Sequence, residues 1–239
     1  MRHLLSLLFA FAFIPAIGSA ATRTDLVEAA AKNGKYTYVM FYRANDAATQ
    51  RMASTIRAQV TENEEKTTWV TVNVRDRKEA SLVKRFDASR IPLPAVFGVA
   101  PNGAVTGVFR QKVDQAQLTQ AILTPKYADM VKALQNQQIA VVCLMPTADT
   151  PIPAGVTTLQ QNPEFKGKLH QVTAYATEVA EAGFFQRMQV DPTLGAPAVL
   201  MFAPPGTHLG TFDAAVSGET LAQELHKSGK CNCSKCQKK

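Results

Sequence analysis

Long apolar runs are scarce in this sequence. After the stretch from Leu4 to Ile17, no segment is long enough to cross a bilayer as a helix of roughly 20 residues, and that stretch is itself short for the task. Arg2 and His3 precede it, and Gly18, Ser19 and Ala20 follow it. This is the pattern of a secretory signal peptide cleaved after Ala20, so residues 1–20 are expected to leave an exported, periplasmic or secreted protein with no membrane attachment. Cysteine is equally thin. There are 4 in 239 residues, none near the cleavage site where a lipid anchor would need one, and none before Cys143.

Surplus charge is also missing from the body of the chain. The formal net charge is +7, but Arg2 belongs to the leader, and Lys227, Lys230, Lys235, Lys238 and Lys239 crowd the last residues without an acid among them. Taking those six from the 26 basic residues leaves 20 against 19 acidic ones over residues 21–226, a net +1. A nucleic-acid groove needs clustered Lys and Arg interleaved with aromatics, and the body has neither signal, so no nucleic-acid partner is expected.

What the chain does have is a repeat. Residues 94–109 read PAVFGVAPNGAVTGVF and residues 197–212 read PAVLMFAPPGTHLGTF, a gapless match at an offset of 103. Periodicity fits the repeat. In the first copy DLVEAAAKNGK (25–35) predicts a helix with an Asn-Gly stop, YTYVMFY (36–42) a strand, 47–60 a helix, WVTVNV (69–74) a strand and 77–86 a helix. A hairpin follows at 95–110, then a helix capped by Asp114. In the second copy helices are expected at 129–138, around AEAGFFQRM and over SGETLAQELHK, with strands at 139–145, 169–176, 198–203 and 207–212. Strands alternating with helical crossovers make an α/β fold. Two domains are expected, 21–124 and 125–228, with a linker near Thr124 and Pro125 and a tail at 229–239.

The order of elements, with RIPLPAVFGVAPNG opening the penultimate strand on a proline, resembles the thioredoxin family, and envelope members of it especially. The resemblance implies two tandem thioredoxin-like domains, each a central mixed sheet flanked by helices, with Pro94 and Pro197 as cis-prolines. It also implies where a CxxC pair would stand, just after the first central strand. Asp46 to Thr49 fill that place in copy one and Asp149 to Ile152 in copy two, so neither offers a thiolate for disulfide exchange. Aspartate there is expected to cap a helix rather than to catalyse. Cys143, in the middle of an apolar strand, reads as an inert core thiol.

The tail, KSGKCNCSKCQKK, gathers the remaining sulfur: Cys231, Cys233 and Cys236 form CxCxxC. Soft thiolates at this spacing suit Cu(I) or zinc, with His226 as a candidate fourth ligand. The same thiols offer a second reading, a Cys233–Cys236 disulfide serving a thiol-disulfide oxidoreductase or isomerase, and a third is a plain lysine-rich extension. For the body the expectation is a monomeric, redox-inactive binding module that takes a protein or extended peptide of the cell envelope at the cis-proline loops, where a backbone edge can pair with an extended chain.

Overall fold

The computed structural model describes residues 22–230. The first half runs α1 (Arg23–Lys32), β1 (Tyr36–Tyr42), α2 (Ala47–Glu62), β2 (Thr67–Asn73), α3 (Ala80–Arg85), β3 (Ala95–Val99), β4 (Val105–Arg110) and α4 (Gln115–Gln120). The sheet has the order β2-β1-β3-β4; β1 and β2 are parallel, and the other neighbours antiparallel. β1 is central and buried on both faces, which is why it reads as one apolar run instead of alternating. Its alternate side chains serve two cores. Val39 and Phe41 join Leu82, Phe86 and Phe97 on one face, while Tyr38 and Met40 meet Met52, Ile56 and Leu118 on the other.

The second half repeats this as α5 (Pro125–Gln135), β5 (Ile139–Met145), α6 (Ala154–Gln161), β6 (Leu169–Tyr175), α7 (Ala182–Met188), β7 (Ala198–Ala203), β8 (Thr207–Asp213) and α8 (Gly218–Ser228), with sheet order β6-β5-β7-β8. The fold is therefore α/β, two tandem thioredoxin-like units, each a four-stranded mixed sheet with helices on both faces. Cys143 lies in β5 at 0% exposure, among Val141, Met145, Val199 and Leu221. Burial pushes its thiol up to about 12, so it is neutral and unreactive near pH 7.

Helix α6 has no counterpart among the sequence expectations. Pro151, Pro153 and Gly155 hide it from a propensity reading, and it starts at Ala154, after Pro153, with no side-chain cap. It crosses α8 at very short range: a Cβ on Gly155 would collide with the carbonyl oxygen of Val216 and lie 2.9 Å from the carbonyl carbon of Ser217. Gly218 returns the approach, since a Cβ there would lie 2.8 Å from Cβ of Thr158. In the first half Met52, buried between α2 and the sheet, stands where Gly155 stands in the second.

Thr124 and Pro125 are the N-cap and first residue of α5 rather than a loose tether: the Thr124 hydroxyl accepts from Tyr127 N–H at 3.4 Å. Around them the halves are tied together. Asn102 Nδ2 donates to Asp129 Oδ1 at 2.9 Å, and Tyr36, Ala100 and Ala104 share a small apolar cluster with Ala128, while the Tyr36 hydroxyl, donating to Leu123 O at 2.8 Å, holds the end of the first unit in place. The Gln135 amide fastens onto β4 like a missing strand, accepting from Val105 N–H at 3.0 Å and donating to Val105 O at 2.6 Å. One device that both halves repeat escaped sequence reading. Glu79 and Glu181, 9% and 3% exposed, reach back to the opening turns of α1 and α5, accepting from Arg23 N–H at 3.4 Å and from Lys126 N–H at 3.0 Å. Each carboxylate meets unsatisfied amides at the positive end of a helix.

Candidate functional site

The site is built at the carboxyl ends of β1 and β2. β1 stops at Tyr42, and the chain turns through Arg43 to Asn45 into α2, whose N-cap is Asp46. The Asp46 carboxylate accepts from Thr49 N–H at 2.8 Å, and the Thr49 hydroxyl donates to Ala44 O at 2.9 Å. The Thr49 N–H also holds the Asp46 carboxyl below the usual carboxylate range, so it is ionised at neutral pH and engaged by the helix. Opposite this turn, Ile91 and Leu93 pack on the core while Pro92 stays exposed, and the chain enters β3 through a cis Leu93–Pro94 bond. Pro94 O accepts from Gln111 N–H at 2.6 Å, which fixes the strand entry against the end of β4. The N–H and C=O of Leu93 have no hydrogen-bond partner among the described residues.

Together these segments bound an open cavity of about 310 Å³ lined by Arg43, Ala44, Asp46, Thr49, Arg75 and Ile91 to Pro94. Asp46, Thr49 and Pro94, singled out from the sequence, thus meet in one place. The chemistry available there is limited. A capping carboxylate and a bonded threonine supply no thiolate and no acid–base pair, while an apolar wall, a free backbone edge at Leu93 and two guanidinium groups supply recognition.

The second copy departs from its expected form at Asp149 and at Pro197. Asp149 caps no helix: α6 begins five residues later, and the segment is a turn closed by Thr150 N–H to Thr147 O at 3.2 Å, with the two threonine hydroxyls 3.1 Å apart. Proline at 151 and 153 keeps the chain out of helix there. Ile152 packs partly buried against the second core. Pro197 does not follow a cis bond; the other cis peptide among the described residues is Pro204–Pro205, in the β7–β8 turn. Trans is the ordinary state of an X–Pro bond. The approach to Pro197 also differs from that to Pro94, running through a turn on Asp191, which accepts from the Thr193 N–H and hydroxyl at 2.7 Å each, and then Gly195 and Ala196.

Cys231, Cys233 and Cys236 lie outside the described residues, as does the leader. His226, the proposed fourth ligand, sits on α8 with Nε2 3.4 Å from Glu164 Oε2 and its ring against Phe165. Among the described residues no cluster of three or more His, Cys, Asp or Glu side chains is placed to hold a metal ion, and no helix is long and apolar enough to cross a membrane.

No family model matches the chain, and no curated protein matches it. Solved structures similar to it include human ERp44 (12% identity over 92% of this chain, TM-score 0.39). Others are the germline-specific thioredoxin Deadhead of Drosophila melanogaster (19% identity over 43% of this chain and 93% of that one, TM-score 0.33) and a disulphide isomerase of Xylella fastidiosa Temecula1 (16% identity over 45% and 93%, TM-score 0.33). The chain spans 60% of the length of the ERp44 structure. At such scores the likeness is slight; strand order and connections define the fold.

Proposed function

We propose that this is an exported, noncatalytic thioredoxin-like protein of the periplasm or extracellular space that binds an extended segment of a partner protein at the Leu93–Pro94 face of its first unit. The observation that carries the reading is the cavity itself: Asp46 and Thr49 are committed to the start of α2 where thiols would stand, while the Leu93 backbone remains unpaired beside them. An extended chain laid there gains main-chain hydrogen bonds from Leu93 and apolar contact from Ile91 and Pro92. Buried Cys143 supplies no alternative nucleophile. With the second copy lacking the cavity-forming turn, the module presents one such face rather than two.

The test is a pair of measurements on the full chain. A disulfide-free unfolded polypeptide is expected to bind equally well to wild type and to the Cys233→Ser, Cys236→Ser double variant, with no catalysed reduction or isomerisation of a disulfide substrate by either. Turnover by wild type that disappears in the double variant would replace the binding module with a tail-dependent oxidoreductase.

A further inference from the structure

The face just described carries a charge pattern that selects its occupant. Arg43 and Arg75 emerge from the same end of two paired strands, one residue beyond Tyr42 and two beyond its partner Asn73. Neither guanidinium has an ion pair or hydrogen bond among the described residues. The nearby carboxylates are turned to the backbone, Asp46 to Thr49 N–H and Asp76 to Lys78 N–H at 2.9 Å. On the far side of α2's first turn a second cavity, of about 510 Å³, is lined by Arg51, Arg110 and Lys112 and by no acid. The Gln111 N–H to Pro94 O bond joins the two cavities. Five cations thus flank the strand entry of a body whose net charge is close to zero.

The second copy serves as an internal control. Strand register places Asp213 opposite Ala198 as Arg110 is opposite Ala95, and at the repeat offset Pro146, Ala154, Glu178 and Ala215 stand for Arg43, Arg51, Arg75 and Lys112. Every cation of the first face is missing from the second, so the cluster is not a by-product of the fold. The chain's own tail is excluded as occupant, because residues 227–239 carry five lysines and no acid.

We infer that the first-unit face takes an extended peptide segment rich in aspartate or glutamate, its backbone against Leu93 and its carboxylates against Arg43 and Arg75. This rests on the binding-module reading above. A peptide fits better than nucleic acid, since one wall, Ile91 to Pro94, sets apolar side chains beside a free backbone edge and the lining holds no aromatic ring on which a base could stack.

Three labelled extended peptides of one length and one apolar pattern, with Glu, Gln or Lys at the polar positions, are titrated against the full chain by fluorescence anisotropy. The Glu peptide is expected to bind roughly tenfold tighter than the Gln peptide at low salt, two exposed ion pairs contributing about threefold each. The gap should close as salt rises. Arg43→Gln with Arg75→Gln should bring the Glu peptide to the level at which the same variant binds the Gln peptide. Equal binding of the Glu and Gln peptides, indifferent to the double variant, overturns the acidic preference and leaves the peptide face standing. Failure of all three peptides overturns both, and tighter binding of an oligothymidylate than of the Glu peptide reassigns the face to nucleic acid.

Discussion

Gly155→Ala is expected to lower the stability of the second unit by about 3 kcal/mol, at the upper end of what one added methyl does in a packed interface. The usual escape, rotating a flexible neighbour away, is closed: the new Cβ meets Val216 O, the Ser217 carbonyl carbon and the Gly218 nitrogen, all backbone of the segment leading into α8. Relief requires α6 and α8 to separate, which strips Val156, Leu159, Leu221 and Leu225 of part of their shared core. Gly167→Ala is the matched control. It has φ +74 and open space around it, so it carries only the left-handed cost of about 1 kcal/mol. Urea midpoints for the two variants decide the matter. A Gly155→Ala loss no larger than that of Gly167→Ala means the helices do not cross as closely as described.

Phe41→Ala should cost the first unit about 4 kcal/mol, within the range for removing a fully buried aromatic ring. Phe41 is 0% exposed, and its ring stands 5.6 Å from that of Phe86 and 5.5 Å from that of Phe97, which are themselves 5.0 Å apart. Removing it leaves the other two facing a void that β1, hydrogen-bonded on both sides, cannot collapse to fill. The site should suffer with the core, because Ile91 and Leu93 pack on the same cluster and Arg43 follows two residues later, just past the end of β1. Phe41→Leu, which keeps most of the volume, should cost about 1.5 kcal/mol or less and spare peptide binding. If chemical denaturation finds Phe41→Ala no worse than Phe41→Leu, the three rings do not form the packed unit described.

Much of this was legible in the sequence, and the reasons are physical. A central strand buried on both faces has to be a continuous apolar run, so YTYVMFY and IAVVCLM declared β1 and β5 without help. The repeated PAV…G patterns declared the two hairpins, and Gly103, at φ +80, is what lets Asn102-Gly103 turn. The site in copy one was found because capping is local: Asp46 bonds Thr49, three residues away. The second copy resisted the same reading. Two prolines and a glycine conceal α6, and what makes the glycine useful is a contact with Val216, far along the chain. Glu79, Glu181 and Gln135 escaped for the same reason, each acting 30 or more residues away, where no local period betrays it. The cationic surround of Pro94 needed strand register too, since Arg43, Arg75 and Arg110 are neighbours only once β1, β2, β3 and β4 are laid side by side.

The proposed binding face for an extended chain is bounded by the start of α2 and the Leu93–Pro94 wall. The most direct measurement is an amide chemical-shift map of the full chain titrated with the Glu-rich peptide, repeated on Ala44→Trp. That change puts a ring into the cavity and leaves the Ala44 carbonyl, which Thr49 uses, in place. Shifts are expected to concentrate at Arg43 to Thr49, Arg75, Leu93 and Gln111, with none at the turn around Asp149 or at Pro197's neighbours, and most of them should be lost in Ala44→Trp at unchanged thermal stability. Equal shifts around Asp149 and Ala196, or binding untouched by the tryptophan, would contradict binding at this face.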